Sequence, residues 1–471
     1  MNSTSRIPLK QKLHWDKLFH RYYDGEMTPA DWADWQQRQL RAVLSYVVTR
    51  SPFYRRHLAG LDPSTASLAS LDEIPTTTKA DLRAAMQDAL SGPMSEAAIY
   101  YETTGTTGPS TPCPRGPLDI YTSNAHVAES WRRLFARRFS ALPTVIGLMG
   151  PAELYAFCDT FGEIAQNLGV AHVKMWPESP RVGFRKALRL LRELQIDVVV
   201  CTPALCLNLA RAALYNGLNP WRDFAIKQFF VLGEICTPEF RQNVRSLWKA
   251  DVISTLYGSQ EALAIGTGCV EGRLHLSQPN YIAEVLDPET GKSKGQHGIG
   301  ELCLTMLPQG IKPLIRYRTG DRVALRTSDC PCGHPGDVIE VIGRVDDSIS
   351  LGTRQLQPAE LESIILNGTT GCLGYQIVVR EENGQEALTV KLDLLTEISG
   401  PVKEVRQGVQ ERLLRACGLH AEVLTEGELD PITNTGAFVS WKVARIHDER
   451  NAEDPLVATA RRNAPAHLVT S

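Results

Sequence analysis

A loop near residue 101 combines the residue types that bind polyphosphate. The segment Tyr101–Pro109 reads YETTGTTGP, so two glycines and four threonines lie between residues 103 and 109. Glycines let a backbone approach an anion closely, and exposed N–H groups and threonine hydroxyls can then donate hydrogen bonds to it. No Lys-Ser or Lys-Thr pair follows the second glycine, so the loop is not of the Walker A type. The composition predicts a phosphate site, with a polar surface turn as the alternative.

Cysteine and histidine side chains in two short segments could share a metal ion. Cys269 and His275 lie in GCVEGRLH, while Cys330 and Cys332 lie in DCPCGH, where His334 follows as a spare candidate. Two such pairs from separate loops can meet in the tetrahedral arrangement that Zn²⁺ prefers. We expect a structural zinc held by the first four residues; the alternative is a set of reduced side chains in turns.

The hydrophobic pattern predicts the elements that position these residues. Apolar residues recur at helical spacing in Trp35–Arg50 and Phe184–Leu194, and Thr202, with a proline after it, is typical of a helix start. Short β-branched or aromatic runs at Asp197–Cys201 and Phe229–Leu232 predict buried strands. This alternation predicts a doubly wound, mostly parallel sheet, which binds ligands outside the carboxyl ends of its strands.

The second half of the chain has a different hydrophobic pattern. From about Tyr281, alternating segments interrupted by glycines predict antiparallel strands, followed by helices at Pro358–Leu366 and Val402–Ala416 and strands around Gln376–Val379 and Leu388–Leu392. The expected fold class is therefore α/β: a large N-terminal domain (1–345) with parallel sheets flanked by helices plus a β-rich subdomain, and a small α+β C-terminal domain (346–450). Residues 451–471 are expected to form a poorly ordered tail.

The composition excludes several classes of protein. The 471 residues are 43% hydrophobic and 22% charged, which is typical of a globular protein and not of a disordered, collagen-like or coiled-coil chain. A net charge of -3 argues against a nucleic-acid partner, since such binding normally needs clustered positive charge. No apolar signal region or long uncharged apolar stretch is present, so neither secretion nor a membrane partner is expected. Eleven cysteines then predict reduced thiols and a cytoplasmic protein.

Four motifs, in order, resemble those of the adenylate-forming superfamily. The phosphate-type loop is followed by YGSQE at Tyr257–Glu261, YRTGD at Tyr317–Asp321 and GRVDDSISLGTRQLQPAELE at Gly343–Glu362. This series is similar to that of acyl-CoA ligases and peptide-synthetase adenylation domains. The N-terminal segments QLRAVLSYVVTRSPFYRRHL and LASLDEIPTTTKADLR resemble the phenylacetate-CoA ligase branch. The resemblance implies a large α/β domain and a small mobile α+β domain, with ATP bound between them.

The resemblance also implies roles for individual residues. Glu261 matches the acidic residue that coordinates Mg²⁺, a hard cation that favours carboxylate oxygens. Asp321 matches the ribose-binding aspartate, Arg344 the arginine near ribose or phosphate, and Asp346 the hinge. Thr106 lies in the loop that holds the β- and γ-phosphates and is expected, with Glu261, to act in catalysis. The other implied nucleotide-binding residues are Thr103, Thr104, Gly105, Thr107, Gly108, Gly233, Glu234, Tyr257 and Gly258.

The catalytic lysine of the superfamily can be aligned in two ways. That lysine stabilises charge on the α-phosphate and the substrate carboxylate. Here the region reads LDPITNTGAFVSWKVARIHDER. If Gly436 matches the family glycine, Ala437 replaces the lysine and adenylation should be crippled. If WKVARIHD matches the family's Gly-Lys-x-x-Arg-Val-Ile-Asp run, Lys442 is the catalytic residue and Arg445 and Asp448 match as well; we prefer this register.

The implied reaction is ATP-dependent activation of a carboxylic acid as an acyl-adenylate, with pyrophosphate release, and transfer of the acyl group to coenzyme A. ATP, Mg²⁺ and coenzyme A are the implied cofactors. The resemblance places the acyl pocket at apolar residues, which fit an aromatic or compact apolar acid. These pocket residues are Tyr155, Ile235, Cys236, Ala262 and Ile265.

Departures from the family pattern keep other functions open. The loop ETTGTTG replaces a commoner serine-rich loop, and Gln260 stands where threonine is usual. These features indicate a specialised biosynthetic enzyme. The alternatives are a ligase with a non-CoA acceptor, such as an amide synthetase, and an enzyme that activates nitrite to form a diazo group. An alternative of another class is a weakly catalytic nucleotide-binding or partner protein. The oligomeric state stays open, with a homodimer as the candidate assembly.

Overall fold

The computed structural model describes residues 6–103, 110–139, 142–382, 385–426, 428–436, 445–450 and 455–464. The helices are α1 (Leu9–Tyr23), α2 (Pro29–Arg50), α3 (Pro52–His57), α4 (Lys79–Ala85), α5 (Pro117–Arg138), α6 (Phe157–Asn167), α7 (Gly183–Glu193), α8 (Pro203–Tyr215), α9 (Pro238–Trp248), α10 (Pro358–Leu366), α11 (Thr396–Ser399), α12 (Val402–Cys417) and α13 (Pro455–Asn463). Within the described ranges, no helix is long and apolar enough to cross a membrane.

The strands alternate with these helices in the first half of the chain and follow one another directly in much of the second. They are β1 (Ile99–Glu102), β2 (Pro112–Arg115), β3 (Val145–Leu148), β4 (Ala171–Lys174), β5 (Val198–Cys201), β6 (Gln228–Leu232), β7 (Asp251–Ser259), β8 (Leu263–Gly268), β9 (Leu274–Leu276), β10 (Tyr281–Leu286), β11 (Gly298–Met306), β12 (Tyr317–Arg326), β13 (Val338–Arg344), β14 (Ile349–Leu351), β15 (Arg354–Leu356), β16 (Cys372–Glu382), β17 (Gln385–Leu394), β18 (Ala421–Leu424) and β19 (Ile446–Asp448).

One large mixed sheet forms the centre of the molecule. Its described strands lie in the order β10-β11-β12-β13-β9-β8-β7-β6-β5-β3-β4. Strands β3 to β7 pair in parallel, and each next strand along the chain is reached through a helix. From β7 to β10 the neighbouring strands are antiparallel. The predicted α/β class is confirmed, and the β-rich part continues the parallel half as one mixed sheet.

Both faces of the parallel half are covered, as its continuous apolar strands require. On one face Val198, Val200 and Phe230 pack against α5 and α6, where Trp131 stacks on Phe161 at 5.3 Å between ring centroids. On the other face the alternate residues of the same strands pack against α7, α8 and α9. The loops that follow the carboxyl ends of β4, β5 and β6 lie at the edge where ligands of such sheets bind.

A second, smaller sheet packs against helices α8 and α9, which cover the large one. Its strands lie in the order β18-β17-β16-β19, with β16 and β17 antiparallel and both outer pairs parallel. Its buried residues, including Tyr375 and Val390, share a hydrophobic cluster with Leu209 of α8 and Leu247 of α9. The side chain of Asn243 also exchanges two hydrogen bonds with the backbone of Cys372, at 2.7 and 2.8 Å. The C-terminal region is therefore seated on helices of the large sheet.

Local sequence signals placed several elements correctly. Thr202 caps α8, because its hydroxyl accepts a hydrogen bond from the N–H of Leu205 at 3.4 Å. The predicted helix at 358–366 has the same bounds in the structure. Helix α2 begins six residues earlier than predicted, at Pro29, because Thr28 and Asp31 form a capping box before it.

The region beyond residue 450 differs from its prediction. We expected a poorly ordered tail from 451, but Pro455–Asn463 forms helix α13. Its residues Val457 and Ala460 are buried, at 4% and 0% exposure, so one apolar side of the helix packs against the protein. The sequence did not predict this helix, because the segment is short and rich in alanine and charged residues. The domain boundary predicted near residue 345 stays a prediction.

Candidate active site

Three residues from the predicted nucleotide motifs lie together: Tyr257 on β7, Asp321 on β12 and Arg344 on β13. The hydroxyl of Tyr257 donates a hydrogen bond of 2.6 Å to the carboxylate of Asp321. Asp321 on β12 is the register partner of Arg344 on β13, and the Arg344 guanidinium lies 3.5 Å from its carboxylate. Burial raises the pKa of Tyr257 well above its ordinary value, and the charge of Asp321 raises it further. The Asp321 side chain is thus 17% exposed and lies beside the Arg344 side chain, which is half-exposed.

Glu261, the predicted Mg²⁺ ligand, lies just beyond this group at the end of the YGSQE motif. Its carboxylate is 5% exposed and lies 3.0 Å from the ammonium of Lys79, the first residue of α4. Burial is the largest single influence and would raise the pKa of Glu261, but the charge and hydrogen bond of Lys79 together with the charge of Lys312 outweigh it, and the pKa is lowered. Tyr317 faces both motifs: burial raises its pKa, and the charges of Glu261 and Asp321 add to that effect. Glu261 is therefore an ionised carboxylate close to the Asp321 group.

Two more cations accompany Glu261. The buried guanidinium of Arg115 donates hydrogen bonds to the carbonyl oxygens of Gln260 and Glu261. The ammonium of Lys312, 2% exposed, donates to the carbonyl of Pro112 and lies 3.1 Å from the Cys113 sulfur. Burial lowers the pKa of Lys312. The sequence analysis missed Lys79, Arg115 and Lys312 as site residues, although Lys79 stands in the TTTKADLR segment that carried the family resemblance.

The phosphate-type loop connects β1 and β2, which form an antiparallel hairpin. Thr103, the first residue after β1, is buried, and its hydroxyl accepts a hydrogen bond of 2.8 Å from the N–H of Thr111. The hairpin thus fixes the two ends of the loop, and β2 leads directly to Arg115. The remaining predicted loop residues, Thr104, Gly105, Thr106, Thr107 and Gly108, lie outside the described residues.

Gly258 shows why the YGSQE segment requires a glycine. It lies at a register shift between β7 and β8, and a Cβ built at this position would lie 2.0 Å from the carbonyl oxygen of Leu263. Leu263 itself has a positive φ of 60°, which turns its backbone into this close approach. No side chain fits between the two strands here, so the position of the motif depends on the missing Cβ.

Gly233 and Glu234 directly follow β6 at the carboxyl end of the parallel strands. Gly233 has a φ of 86°, a conformation that favours glycine, so the chain turns sharply at this point. The Glu234 carboxylate accepts a hydrogen bond of 3.1 Å from the N–H of Ala204 at the start of α8. It also lies 3.7 Å from the guanidinium of Arg445, which belongs to the C-terminal region. Glu234 is therefore engaged in a contact between the large sheet and the C-terminal region.

The five predicted acyl-pocket residues fall into two groups. Tyr155, Ile235 and Cys236 are half-buried, whereas Ala262 and Ile265 are fully buried in an apolar cluster. A cavity of about 290 Å³ lies near Tyr101, Asp159, Glu163, Lys174 and Leu263, but none of the five predicted residues lines it. The assignment of the acyl pocket stays a prediction.

Two further predictions concern the last part of the chain. Asp346, the expected hinge residue, is exposed and lies between β13 and β14. Lys442 and Ala437, the two candidates for the lysine position, both lie outside the described residues. Two residues that matched in the preferred register are described: Arg445 directly precedes strand β19, and Asp448 is its last residue.

The predicted metal ligands come together in space. The ligand atoms of Cys269, His275, Cys330 and Cys332 all lie within 4.8 Å of one another. The sulfurs of Cys269 and Cys330 are 3.8 Å apart, and the Cys332 sulfur lies 3.3 Å from Nε2 of His275. A tetrahedral ion with Zn–S bonds of about 2.3 Å needs ligand sulfurs about 3.8 Å apart, so the set fits zinc.

The surroundings of the cluster orient its histidine. Nδ1 of His275 lies 2.7 Å from the carbonyl of Gly336, so the ring donates there and leaves Nε2 for a metal. Hydrogen bonding to Cys269 lowers the pKa of Cys332 to about 3, and His275 and a backbone N–H act in the same direction. Nδ1 of His334, the spare candidate, accepts from the N–H of Gly336 instead of joining the four. The group can hold one metal ion through three sulfurs and one nitrogen.

Comparisons with known proteins agree with this arrangement. No family model matches the chain. The chain is 29% identical to the phenylacetate-coenzyme A ligase of Thermus thermophilus over 388 residues, which are 79% of this chain and 83% of that relative. It is 26% identical to the enzyme of the same name from Pseudomonas putida over 427 residues, 88% and 94% of the two chains. A curated relative from Escherichia coli with that name is also 26% identical, over 443 residues.

Solved structures of a 2-hydroxyisobutyryl-CoA ligase share the fold over 93% of both chains. In the postadenylation state with R3-HIB-AMP, that ligase matches with a TM-score of 0.77 at 21% identity. In the thioesterification state with 2-HIB-AMP and CoA, the TM-score is 0.63. The chain therefore shares its fold with these ligase structures. The curated relatives named phenylacetate-coenzyme A ligase, at 26 to 29% identity, agree with the branch that the sequence motifs resemble.

Proposed function

We propose that this protein is an AMP-forming acid-CoA ligase, which uses ATP to activate a carboxylic acid and transfers the acyl group to coenzyme A. The observation that carries the proposal is the meeting of Tyr257, Asp321 and Arg344 beside the buried, ionised Glu261. A carboxylate such as Asp321 can accept both ribose hydroxyls, and Glu261 can hold Mg²⁺ against phosphates. The curated relatives named phenylacetate-coenzyme A ligase support the same activity.

The first half-reaction forms the acyl-adenylate. A carboxylate oxygen of the substrate bonds to the α-phosphorus of ATP, the bond between the α- and β-phosphates breaks, and pyrophosphate leaves. Negative charge accumulates at the phosphates, and preorganised cations stabilise such charge best. Arg344 and Lys79 supply cations next to the two motif carboxylates, and Lys442 supplies the positive charge at the reacting carboxylate in the preferred register.

The second half-reaction forms the thioester. The sulfur of coenzyme A attacks the acyl carbon, the bond from that carbon to the phosphate oxygen breaks, and AMP leaves. We infer an aromatic or compact apolar acid, because Tyr155, Ile235 and Cys236 combine apolar side chains with partial exposure. The relatives named phenylacetate-coenzyme A ligase support an aromatic acid over a dicarboxylic one.

We further propose a structural zinc ion at Cys269, His275, Cys330 and Cys332. The four ligand atoms are spaced as a tetrahedral ion requires, and the second nitrogen of His275 is held by a backbone carbonyl. With four protein ligands the ion would keep no open position for substrate, which is the arrangement of structural zinc sites. Its role would be to tie the loop after β12 to the loop between β8 and β9.

An acid-dependent exchange of labelled pyrophosphate into ATP tests the first half-reaction directly. The protein is incubated with ATP, Mg²⁺ and one acid at a time from a panel of aryl and short apolar acids. We expect exchange with a subset of apolar acids, and no exchange in Lys442→Ala. Product analysis with coenzyme A or an amine as acceptor then separates a CoA ligase from an amide synthetase. Nitrite-dependent exchange without exchange on any carboxylic acid would contradict the proposal.

A further inference from the structure

Arg115 is a fully buried cation whose side chain reaches the end of the YGSQE motif. It is the last residue of β2 and is 0% exposed. Its Nη2 donates hydrogen bonds to the carbonyl oxygens of Gln260 and Glu261. Its Nε and Nη1 make no hydrogen bond to any residue that the structure describes. A buried charge with unpaired donors costs free energy, so the contact with the two carbonyls is kept at the expense of stability.

The two acceptors of Arg115 lie on either side of the Glu261 Cα. The carbonyl of Gln260 belongs to the peptide unit before this Cα, and the carbonyl of Glu261 belongs to the unit after it. Because each peptide unit is planar, a donor that holds both carbonyls also restrains φ and ψ of Glu261. These two angles set the direction in which the side chain leaves the backbone. Arg115 therefore acts on the orientation of the Glu261 carboxylate through the backbone.

Lys312 holds the strand that carries this arginine. It lies between β11 and β12, and its side chain is buried. Its ammonium donates to the carbonyl of Pro112 and lies 3.1 Å from the sulfur of Cys113, and both of these residues belong to β2. Strand β2 is thus tied to the segment that leads into β12, on which Asp321 lies. The two buried cations together set the distance between Glu261, β2 and the start of β12.

From these contacts we propose that Arg115 is a positioning residue that orients the Glu261 carboxylate for Mg²⁺. The inference rests on the proposed function, in which Glu261 holds Mg²⁺ against the phosphates of ATP. Side chains that orient a metal ligand commonly cost about 10- to 100-fold in metal affinity or activity when they are replaced. Lys79 contacts the carboxylate of Glu261 itself, whereas Arg115 contacts its backbone.

Calorimetric titration with ATP measures this role without turnover. Each protein is titrated once in excess Mg²⁺ and once in EDTA, and the Kd in EDTA divided by the Kd in Mg²⁺ gives the contribution of the metal to binding. In Arg115→Met, which keeps a long side chain without the donors, this ratio should fall at least about fivefold. The Kd in EDTA should change by less than about twofold, since only the metal ligand is misplaced. Arg115→Lys keeps a buried cationic donor and should recover most of the ratio.

A double-variant cycle distinguishes an action through Glu261 from an independent effect. Glu261→Gln should itself lower the ratio at least about fivefold, and Arg115→Met added to it should lower the ratio by less than about twofold more. Arg412→Met is the matched control, because Arg412 on α12 also donates to two backbone carbonyls, those of Ile364 and Ile365, both at 2.8 Å. This control should leave the ratio unchanged.

Melting temperatures measured beside the titrations show which variants are folded. If Arg115→Met does not fold, Lys312→Met takes its place in the cycle, because it removes the tie on β2 and leaves the arginine present. An unchanged ratio in the folded variant, additive effects in the cycle, or the same fall in Arg412→Met would overturn the proposal. So would a wild-type ratio no higher than that of Glu261→Gln. Wild-type protein without acid-dependent pyrophosphate exchange would refute the proposed function, while the cycle would still decide whether Arg115 acts through Glu261.

Discussion

The Tyr257 hydroxyl and the Asp321 carboxylate are 2.6 Å apart and join β7 to β12 across the large sheet. The other oxygen of the Asp321 carboxylate lies 3.5 Å from the guanidinium of Arg344, its register partner on β13. A side chain that binds a ribose must be held in one rotamer, because its two acceptors serve two neighbouring hydroxyls. Under the proposed function, the pair would hold the Asp321 carboxylate in place on β12 before ATP binds.

Loss of this hydrogen bond should affect ATP more than the acid. In Tyr257→Phe we expect the KM for ATP to rise about three- to tenfold, which corresponds to about 1 kcal/mol for one hydrogen bond. Asp321→Asn should raise it further, because both the charge and one acceptor are lost. The KM for the acid is the internal control. An equal rise in both KM values would show that Tyr257 acts on the general stability of the site.

The Glu261 carboxylate should show its environment in the pH dependence of stability. Its pKa is lowered in the folded protein, so ionised Glu261 contributes stability above its unfolded pKa, and this is lost as the pH falls through the folded value. The difference in unfolding free energy between wild type and Glu261→Gln should therefore be larger at about pH 7 than at about pH 4. Urea unfolding of both proteins measures it. A difference that grows toward acid pH would mean that burial outweighs the combined effect of Lys79 and Lys312.

The Cys/His group should bind one zinc ion per chain, as measured by elemental analysis of the purified protein. Cys332→Ser should lose the metal and lower the melting temperature, since a ligand sulfur and a tie between two loops are removed. Cys417→Ala is a suitable control, because Cys417 is a buried cysteine of α12 outside the group. Full metal content in Cys332→Ser, or none in the wild type, would contradict the zinc proposal.

Gly258 gives a test of the strand geometry behind the YGSQE motif. Gly258→Ala should destabilise the protein by roughly 1–3 kcal/mol, because its Cβ would meet a backbone oxygen instead of a movable side chain. Gly408→Ala is the matched control: it lies inside α12, where a Cβ would meet only the end of the Arg412 side chain at 3.1 Å. That change should stabilise by about 0.5–1 kcal/mol, since alanine favours helix. Equal effects would show that the approach of Leu263 is not limiting.

The sequence carried enough local information for the class of fold and for the motif residues. Thr202 could be recognised as a helix cap, and the buried strand before Gly233 was visible as FFVL, because both signals lie within a few neighbouring residues. Helix α13 was missed, because Val457 and Ala460 become buried only in the folded chain, which no local pattern of this short segment indicated. The same reason hid Arg115, which reaches carbonyls 145 and 146 residues away.

The sequence predicted the site as separate motifs, but it could not predict the contacts between those motifs. Asp321 and Arg344 stood in two different motifs, and only the register of β12 and β13 makes them neighbours. Lys79 stood in a quoted segment without a role, since nothing local brings α4 to Glu261. The Cys/His group was an exception: two short segments offered four residues of the types that bind zinc, and their ligand atoms do lie together.

The stoichiometry of products is the most direct test of the central claim. Protein, ATP, Mg²⁺, coenzyme A and the acid that supports pyrophosphate exchange are combined, and AMP, pyrophosphate and acyl-CoA are measured together by mass spectrometry and chromatography. The account predicts equal amounts of all three in wild type, and none above background in Lys442→Ala. Formation of ADP and phosphate, or AMP release without an acyl-CoA product, would contradict an acid-CoA ligase.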